Sequence, residues 1–141
     1  MSSLPEFKTN VTYSRISQDD IHHFVSLLDD KRVLFDEESL IAYGHDETED
    51  LVHPPEVVLK PINTAEVSAI LKYCNTHCIP VTPIGGRTGL SGGALSVQGG
   101  VGLSMEKLNR IVEIDELNLQ VTVEPAVITQ VLQETVAAKG L

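Results

Sequence analysis

The chain has 141 residues, the size of one ordinary domain, and 42% of them are hydrophobic, which is enough for a buried core. Only 4% are aromatic, so that core must be mainly aliphatic. The formal net charge is −10, and residues 1–56 carry 13 acidic and 4 basic side chains, whereas residues 57–141 carry 7 and 6. Such a surface repels phosphate backbones, which excludes nucleic-acid binding as a function class.

The N-terminal part, residues 1–54, is predicted to be an acidic, helical segment. Ser17 fits an N-cap, with Asp20 at the third helical position, and apolar residues then recur at helical spacing up to residue 28. A second helix over 37–43 is expected to end at Gly44. The acidic loop 46–50 lacks the ligand spacing of a calcium loop and is expected to be solvated.

The remaining part, residues 55–141, alternates strand and helix patterns. Asn63 fits an N-cap with Glu66 at the capping-box position, and Pro80 is expected to stop that helix. The predicted elements in chain order are strand 57–59, helix 64–78, strands 81–84 and 101–105, hairpin strands 111–114 and 120–124, and a helix from 128 that ends at Gly140. This order predicts an α/β fold with a small parallel sheet, or α+β if the hairpin is antiparallel.

Neither the N-terminus nor the cysteines indicate export. Residues 1–10 have no apolar signal core, and no stretch approaches the ~18 apolar residues of a membrane span. The sequence therefore predicts a cytoplasmic protein. Cys74 and Cys78 lie four residues apart in a helical pattern and are expected to be reduced thiols on the same helix face.

A glycine-rich stretch follows the predicted strand 81–84 and contains five glycines in twelve residues: Pro83-Ile84-Gly85-Gly86-Arg87-Thr88-Gly89-Leu90-Ser91-Gly92-Gly93-Ala94. Consecutive glycines let the backbone adopt positive φ and approach a ligand without Cβ clashes. Their N–H groups form an anion-binding nest, to which Thr88 and Ser91 add hydroxyl donors and Arg87 a positive charge. The stretch predicts a cradle for a di- or polyphosphate.

The two common nucleotide motifs fit this stretch poorly. A Walker loop ends in Gly-Lys-Ser/Thr, and the stretch contains no Lys. The dinucleotide fingerprint opens directly into a helix, whereas here Leu95-Ser96-Val97 leads into a strand-like segment. A merely structural turn is the remaining alternative from the residues alone.

The stretch resembles the pyrophosphate loop of FAD-linked oxidases related to vanillyl-alcohol oxidase, whose flavin domain is called PCMH-type and whose loop reads roughly Pro-x-Gly-Gly-x-Thr-Gly-Leu-x-Gly-Gly-Ala. It is most similar to the branch with D-lactate dehydrogenase, D-2-hydroxyglutarate dehydrogenase and the FAD subunit of glycolate oxidase. The flanks are similar too: Tyr43, Asp46 and Thr48 match a Tyr-x-x-Asp-x-Thr pattern, and Glu124-Pro125 matches the start of a Glu-Pro-Gly turn. The resemblance covers residues 35–141.

This resemblance implies the first subdomain of a PCMH-type FAD-binding domain, in an oxidoreductase that oxidises a small D-2-hydroxy acid to a 2-oxo acid and passes electrons to an acceptor. It implies that FAD is bound by the loop residues Pro83, Ile84, Gly85, Gly86, Arg87, Thr88, Gly89, Leu90, Ser91, Gly92 and Gly93. Some relatives attach FAD through a His in this loop. No His lies between residues 78 and 141, so non-covalent FAD is expected.

The family's second flavin subdomain and its substrate domain, with the catalytic His and the metal ligands, lie C-terminal to the matched part. No catalytic or metal-binding residue is therefore assigned in this chain. For the longer enzyme, the resemblance leaves open peripheral membrane association. For residues 1–141 alone, pairing of two copies is left open, because the missing segments remove an interface and an apolar patch there would self-associate. The other functions that the sequence leaves open are a non-catalytic nucleotide-binding or interaction module and a reductase of the same flavin fold.

Some positions carry open alternatives. Arg87 occupies a slot more often filled by Gly or Asn, so its side chain must point away from the flavin or pair with a phosphate, and Ala126 replaces the Gly of Glu-Pro-Gly. For Cys74, His77 and Cys78, core packing is favoured over a metal site, because a fourth ligand is lacking. Tyr43 and Asp46 are candidates for structural support of the loop. The other histidines are expected at the surface: His22, His23, His45 and His53.

Overall fold

The computed structural model describes residues 12–141 and contains a four-stranded mixed sheet with the strand order β1-β2-β4-β3. Its strands are β1 (Val33–Leu34), β2 (Val57–Leu59), β3 (Val81–Ile84) and β4 (Val101–Ser104). β2 and β3 both pair in parallel with β4, and β1 pairs antiparallel with β2 at one edge. The predicted α/β fold with a small parallel sheet is confirmed, and β4 lies between β2 and β3.

The central strands are covered on both faces. Every residue of β2 and of β4 is buried, which explains why all of them except Ser104 lack polar side chains. Gly102 of β4 marks the tightest point, because a Cβ there would lie 2.9 Å from Ile84 Cδ1 and 2.9 Å from Pro55 Cγ. The sheet therefore has no room for a side chain at that position.

Two helices pack against this sheet with capped N-termini. Helix α1 (Gln18–Leu28) begins with the predicted capping box, in which Ser17 and Asp20 exchange hydrogen bonds, and it buries Phe24 and Leu28. Helix α3 (Thr64–Thr76) is capped by Asn63, whose side chain accepts from the Glu66 N–H at 2.9 Å. Complete burial of an aliphatic or aromatic side chain contributes ~1.5–3 kcal/mol, so Phe24 and Leu28 are substantial contributors to the stability of the core.

Helix α3 ends earlier than predicted. Its last residue is Thr76, and Cys78 lies beyond the end with φ +55° and an exposed side chain, whereas Cys74 is buried. The prediction of two thiols on one face is therefore wrong, because the chain leaves the helix before Pro80. The capping box at Asn63 is also incomplete, since the Glu66 carboxylate accepts from the Ile62 N–H and pairs with Arg32 Nη1 at 2.7 Å.

Helix α2 (Glu37–Ala42) lies between β1 and β2 and is capped by Asp36, whose carboxylate accepts from the Ser39 N–H. Gly44 follows it without the positive φ of a glycine helix stop. A Cβ at Gly44 would lie 2.9 Å from the Pro54 backbone, so close packing explains this glycine.

The C-terminal part forms a hairpin and a helix. Strands β5 (Ile111–Asp115) and β6 (Gln120–Val123) pair antiparallel, as predicted, and helix α4 (Thr129–Ala137) follows. The Asp115 carboxylate closes the turn by accepting from the N–H groups of Leu117 and Asn118. Gly140, with φ +79°, ends the last turn. From residue 109 to 141 no residue is buried.

Buried members of the core come from both sides of residue 55, with Phe24 and Val33 packing in the same cluster as Val57 and Leu103. The division of the chain at this residue stays a prediction. No helix within residues 12–141 has the length and apolar character needed to cross a membrane.

Candidate functional site

The glycine loop (residues 85–93) lies at the carboxyl edge of the parallel sheet. It leaves β3 directly, and Lys60 and Met105 follow the ends of β2 and β4 at the same edge. The loop has no helix or strand, as its composition predicts. Open parallel sheets bind their ligands at this edge, so the position of the loop favours a binding role.

The backbone of the glycine loop differs from the prediction. Only Arg87, with φ +58°, and Gly92, with φ +71°, have positive φ within it. The expectation that consecutive glycines would adopt positive φ is therefore wrong for the other four: Gly85, Gly86, Gly89 and Gly93. Any L-residue could adopt their φ values, so backbone freedom does not explain why they are glycines.

Open space in front of the loop offers a different explanation for these four glycines. A Cβ at Gly85, Gly89 or Gly93 would meet no atom within 4 Å, and at Gly86 it would only reach Thr88 Cγ2 at 4.0 Å. All four residues are exposed. The protein itself therefore leaves free the volume that side chains would fill, which is the shape required for close approach of a ligand to the backbone.

An open cavity of about 570 Å³ lies between the glycine loop and the C-terminal part. Its lining residues are Gly86, Thr88, Glu106, Asn109, Pro125, Ala126, Val127, Ile128, Thr129 and Val131. Of the predicted site residues, the structure brings Gly86 and Thr88 to this cavity. Ile84 instead points its side chain into the core, and Leu90 is 76% exposed on the outside of the loop.

The segment 46–48 holds the far end of the glycine loop. The Glu47 N–H donates to the Gly89 carbonyl at 3.1 Å, and the Gly92 N–H donates to Thr48 Oγ1 at 2.8 Å. Asp46 in turn orders this segment, because its Oδ1 accepts from the Thr48 N–H at 2.9 Å. The interpretation of Asp46 as a structural support is confirmed by these contacts.

Asp46 is also an exception to the predicted solvated acidic loop, because it is only 9% exposed and its Oδ2 has no hydrogen-bond partner among the described residues. The hydrogen bonds from Thr48, with its backbone N–H as the largest cause, hold the pKa of Asp46 below its ordinary value. The carboxylate therefore stays ionised and keeps accepting from Thr48 throughout the neutral pH range.

A second set of contacts joins the near end of the loop to the strand ends. The Arg87 guanidinium donates to the Ala42 carbonyl, and its Cζ lies 5.0 Å from the centroid of the Tyr43 ring. The Tyr43 hydroxyl donates to Glu106 Oε2 at 2.5 Å, and Lys60 Nζ pairs with Glu106 Oε1 at 3.0 Å. Burial acts against both charges, but these hydrogen bonds prevail, raising the pKa of Lys60 and lowering that of Glu106.

The sequence analysis missed Lys60 and Glu106. Lys60 directly follows β2, and Glu106 follows β4 after one intervening residue. Polar residues at the ends of parallel strands are the signal that could have identified both. They meet only because β2 and β4 are neighbours in the sheet, which the chain order alone does not reveal.

The other candidate residues lie elsewhere. His22, His23 and His45 are exposed and His53 is half-buried. Within residues 12–141 no group of three His, Cys, Asp or Glu side chains is placed to hold a metal ion. Tyr73 stacks between His23 and His77, with ring centroids 3.9 Å and 4.0 Å away, and its hydroxyl donates to Asp20. These aromatic contacts fix α1 against α3.

Comparison with known protein families shows to which family this chain belongs. Residues 55–141 match the model of the FAD binding domain family, which is more than half of the chain. The chain belongs to this family of FAD binding domains. FAD is thus the cofactor of the family.

Several relatives share this FAD binding domain. The chain is 42% identical over 101 residues to the glycolate oxidase subunit GlcD of Bacillus subtilis, covering 72% of this chain and 22% of the relative. It is 36% identical over 121 residues to a D-2-hydroxyglutarate dehydrogenase of Stutzerimonas stutzeri, covering 86% and 26%. It is 38% identical over 130 residues to a D-lactate dehydrogenase of Anaerostipes hadrus, covering 92% and 27%.

Solved structures agree with the fold. A p-cresol methylhydroxylase with bound substrate superposes with a TM-score of 0.77 and 29% identity, covering 89% of this chain and 26% of that one. This FAD binding domain therefore spans about a quarter of the length of the relatives that it matches.

Proposed function

We propose that this chain forms the pyrophosphate-binding wall of the FAD site in an oxidoreductase that oxidises a small D-2-hydroxy acid to a 2-oxo acid. The observation that carries the proposal is the set of four glycines with ordinary φ values that face open space. A ligand backed against the main chain would explain them, and a structural turn would not, because nothing in the fold prevents side chains there.

The residues that would hold FAD are those of the glycine loop with Pro83 and Ile84 before it. The exposed backbone at Gly85, Gly86, Gly89 and Gly93 would face the pyrophosphate, and the hydroxyls of Thr88 and Ser91 would add donors. Binding is non-covalent in this proposal. Bound flavin would supply the hydride-accepting chemistry, and the role of this chain is to bind and orient it.

The substrate class rests on the relatives, which are named for glycolate, D-2-hydroxyglutarate and D-lactate. All three of these names describe short 2-hydroxy acids. The proposal includes an electron acceptor. It also includes a cytoplasmic location, and cell fractionation with an antibody to the chain would test that location. It also includes pairing of two copies, which light scattering on the purified chain would test.

The test of the proposed site adds a side chain to the open face of the loop. In the full-length protein that carries this chain, we expect Gly93→Val to lose bound FAD, while the unfolding midpoint measured without FAD stays close to that of the FAD-free wild type, because a Cβ there meets no protein atom within 4 Å. Ala137→Val, on the exposed end of α4 and outside the cavity lining, is the matched control. Flavin absorbance per polypeptide is the measurement, and unchanged FAD content in Gly93→Val contradicts the proposal.

Gly92 is unsuitable for this test, although it lies next to Gly93. Its φ of +71° strains any L-residue, and a Cβ there would lie 3.4 Å from Leu95 Cδ1. A substitution at Gly92 would therefore change folding and binding together. Gly89, with ordinary φ and no atom within 4 Å, is the better second position.

Residues 1–141 alone are expected to bind FAD weakly and to oxidise no 2-hydroxy acid. The loop is exposed, so its phosphate contacts compete with water and screening salt. The cavity beside it is open to solvent, so much of a bound flavin ring would stay in contact with water. Titration with FAD, followed by flavin fluorescence, measures the affinity, and stoichiometric binding at micromolar concentration would show a self-contained site.

A further inference from the structure

Arg87 has two features that its neighbours lack. It is a non-glycine residue with φ +58°, a conformation that costs an L-residue ~1–2 kcal/mol. It is also half-buried inside a loop whose adjoining residues are exposed. Such a conformation persists where the surrounding structure fixes it, and the contacts of the half-buried Arg87 side chain are one source of that constraint.

The direction of the side chain separates Arg87 from the cavity. The residues on either side of it, Gly86 and Thr88, line the cavity, and Arg87 does not. Its guanidinium instead reaches the Ala42 carbonyl and the Tyr43 ring. The left-handed φ at Arg87 is the local bend that turns this side chain away while its neighbours face the cavity.

The partners of Arg87 are suited to a cation. Ala42 is the last residue of α2, where carbonyls lack an intrahelical donor, so the guanidinium fills an open hydrogen-bonding position. The Tyr43 ring offers the π face on which a planar guanidinium stacks well. An ammonium group could reach only one of these two partners at a time.

Tyr43 contacts both Arg87 and the residues at the strand ends. Its hydroxyl donates to Glu106, which lines the cavity and is paired with Lys60. The ring of Tyr43 therefore links the near end of the glycine loop to the ends of β2 and β4. This arrangement gives the loop a fixed position relative to the cavity before any ligand arrives.

We propose that Arg87 is a positioning residue that holds the glycine loop in its binding shape through Tyr43 and the Ala42 carbonyl, and that it is not a phosphate ligand. This inference rests on the proposed FAD site. It assigns to the only cation of the loop a structural task, and it leaves the anion to be bound by backbone N–H groups and hydroxyls.

The test compares four variants of the full-length protein that carries this chain. Arg87→Lys keeps the charge and the φ cost but lacks the planar fork. Arg87→Asn tolerates the left-handed φ but cannot reach Tyr43. Tyr43→Leu removes the ring, and Tyr43→Phe keeps the ring that Arg87 contacts and loses only the hydroxyl bond to Glu106. We expect FAD affinity to fall about tenfold in the first three and less than about threefold in Tyr43→Phe.

Two results would overturn the proposal. If Arg87 bound a phosphate directly, Arg87→Lys would retain most of the affinity, and the effects of Arg87→Asn and Tyr43→Leu would multiply in the double variant. We expect instead that Lys fails to rescue and that the double variant binds no more than about twofold worse than the weaker single variant, because both changes break the same contact.

A readout without FAD separates this inference from the function on which it rests. Hydrogen exchange of the Gly92 and Glu47 amides, which donate to Thr48 Oγ1 and to the Gly89 carbonyl, should accelerate in the cofactor-free protein in Arg87→Lys, Arg87→Asn and Tyr43→Leu, and less in Tyr43→Phe. Faster exchange in a protein that never binds FAD would sustain the positioning role and reject the FAD site. Normal exchange in the three variants, with FAD bound in the wild type, would reject the positioning role alone.

Discussion

Two regions of this chain treat their apolar side chains differently. In the sheet region (residues 12–108), Phe24, Leu59 and Ile70 are completely buried. In the hairpin region (residues 109–141), Val112, Leu117, Leu119 and other large apolar side chains are 38–90% exposed, and nothing is buried. Secondary structure in the hairpin region therefore rests on local hydrogen bonds, whereas the sheet region is stabilised by a shared core.

The cavity is formed between these two regions. Its Gly86 and Thr88 side belongs to a loop that is held at both ends by the sheet region, and its Pro125 to Val131 side belongs to the hairpin region without a core. One wall of the site is thus fixed by packing, while the other depends on local contacts. Matched substitutions in the sheet region and the hairpin region should therefore have unequal effects on stability.

The largest difference is expected for leucine truncation. Leu59→Ala removes a completely buried side chain and should lower the free energy of unfolding by ~2–5 kcal/mol through lost burial and a cavity. Leu119→Ala, at a residue that is 73% exposed, should change it by less than ~0.5 kcal/mol. Urea unfolding followed by circular dichroism measures both, and equal losses would contradict the contrast between the regions.

A glycine pair separates steric from conformational causes. Gly100 and Gly140 both have positive φ, but a Cβ at Gly100 would lie 2.3 Å from the Pro80 carbonyl oxygen, and a Cβ at Gly140 would meet nothing. Gly100→Ala should therefore cost ~2–5 kcal/mol, and Gly140→Ala only the ~1–2 kcal/mol of the left-handed conformation. Thermal unfolding of the two variants compares them. Similar midpoints would show that Pro80 can move aside.

The loss of stability at acid pH should depend on Asp20 in the sheet region. Burial opposes its charge, but hydrogen bonds from Ser17 and Tyr73 prevail and hold the pKa of Asp20 below its ordinary value. A lowered pKa in the folded state stabilises the protein above the unfolded-state pKa of ~3.9, and this contribution disappears as pH falls through the folded-state value.

Asp20→Asn should therefore lower stability by ~1–2 kcal/mol at neutral pH, and the difference from the wild type should shrink below about pH 4. Asp115→Asn tests the corresponding turn carboxylate in the hairpin region, whose pKa is lowered by Asn118, and should have the smaller effect on global unfolding. Urea titrations between pH 3 and 7 measure both. A constant Asp20→Asn difference across this range would show that the charge of Asp20 is not what stabilises the fold.

The smallest expected difference concerns two ion pairs. Glu66 and Arg32 are each only 16% exposed, and Glu66 also accepts from the Ile62 N–H. Glu66→Gln should cost about 1 kcal/mol. Arg110, the partner of Glu124, is 72% exposed, so Glu124→Gln should have a smaller effect on the unfolding midpoint. If 1 M salt lowers the unfolding midpoint of the wild type and of Glu66→Gln but not that of Glu124→Gln, the salt-sensitive ion pair is the one at Glu124 and the ranking is wrong.

Local signals predicted most elements of this fold. The Ser17 and Asn63 caps mark true helix starts, because an N-cap depends on residues within three positions of it. The strand order could not be predicted, since the placement of β4 between β2 and β3 depends on contacts between distant residues. The end of α3 was missed for a related reason: Cys78 continues the apolar spacing, but the chain has already turned towards β3.

Composition and resemblance indicated the loop of the candidate site, but the reason for its glycines required coordinates. Positive φ is a property of one residue, and the sequence suggested it for all the glycines. Open space is a property of everything around a residue, and no local pattern reports it. The Tyr43, Glu106 and Lys60 contacts were missed likewise, because these residues come from three separate segments.

The four glycines that face open space also predict which substitutions the protein tolerates at their positions. Because their φ values are ordinary and no protein atom lies in front of them, a library selected only for folding should accept alanine and larger residues at positions 85, 86, 89 and 93. A library selected for cofactor retention should return glycine at all four. At Gly100 and Gly102 both libraries should return glycine, since the protein's own atoms occupy that space. Deep sequencing of the two populations would thus map the outline of the ligand as the set of positions where they diverge.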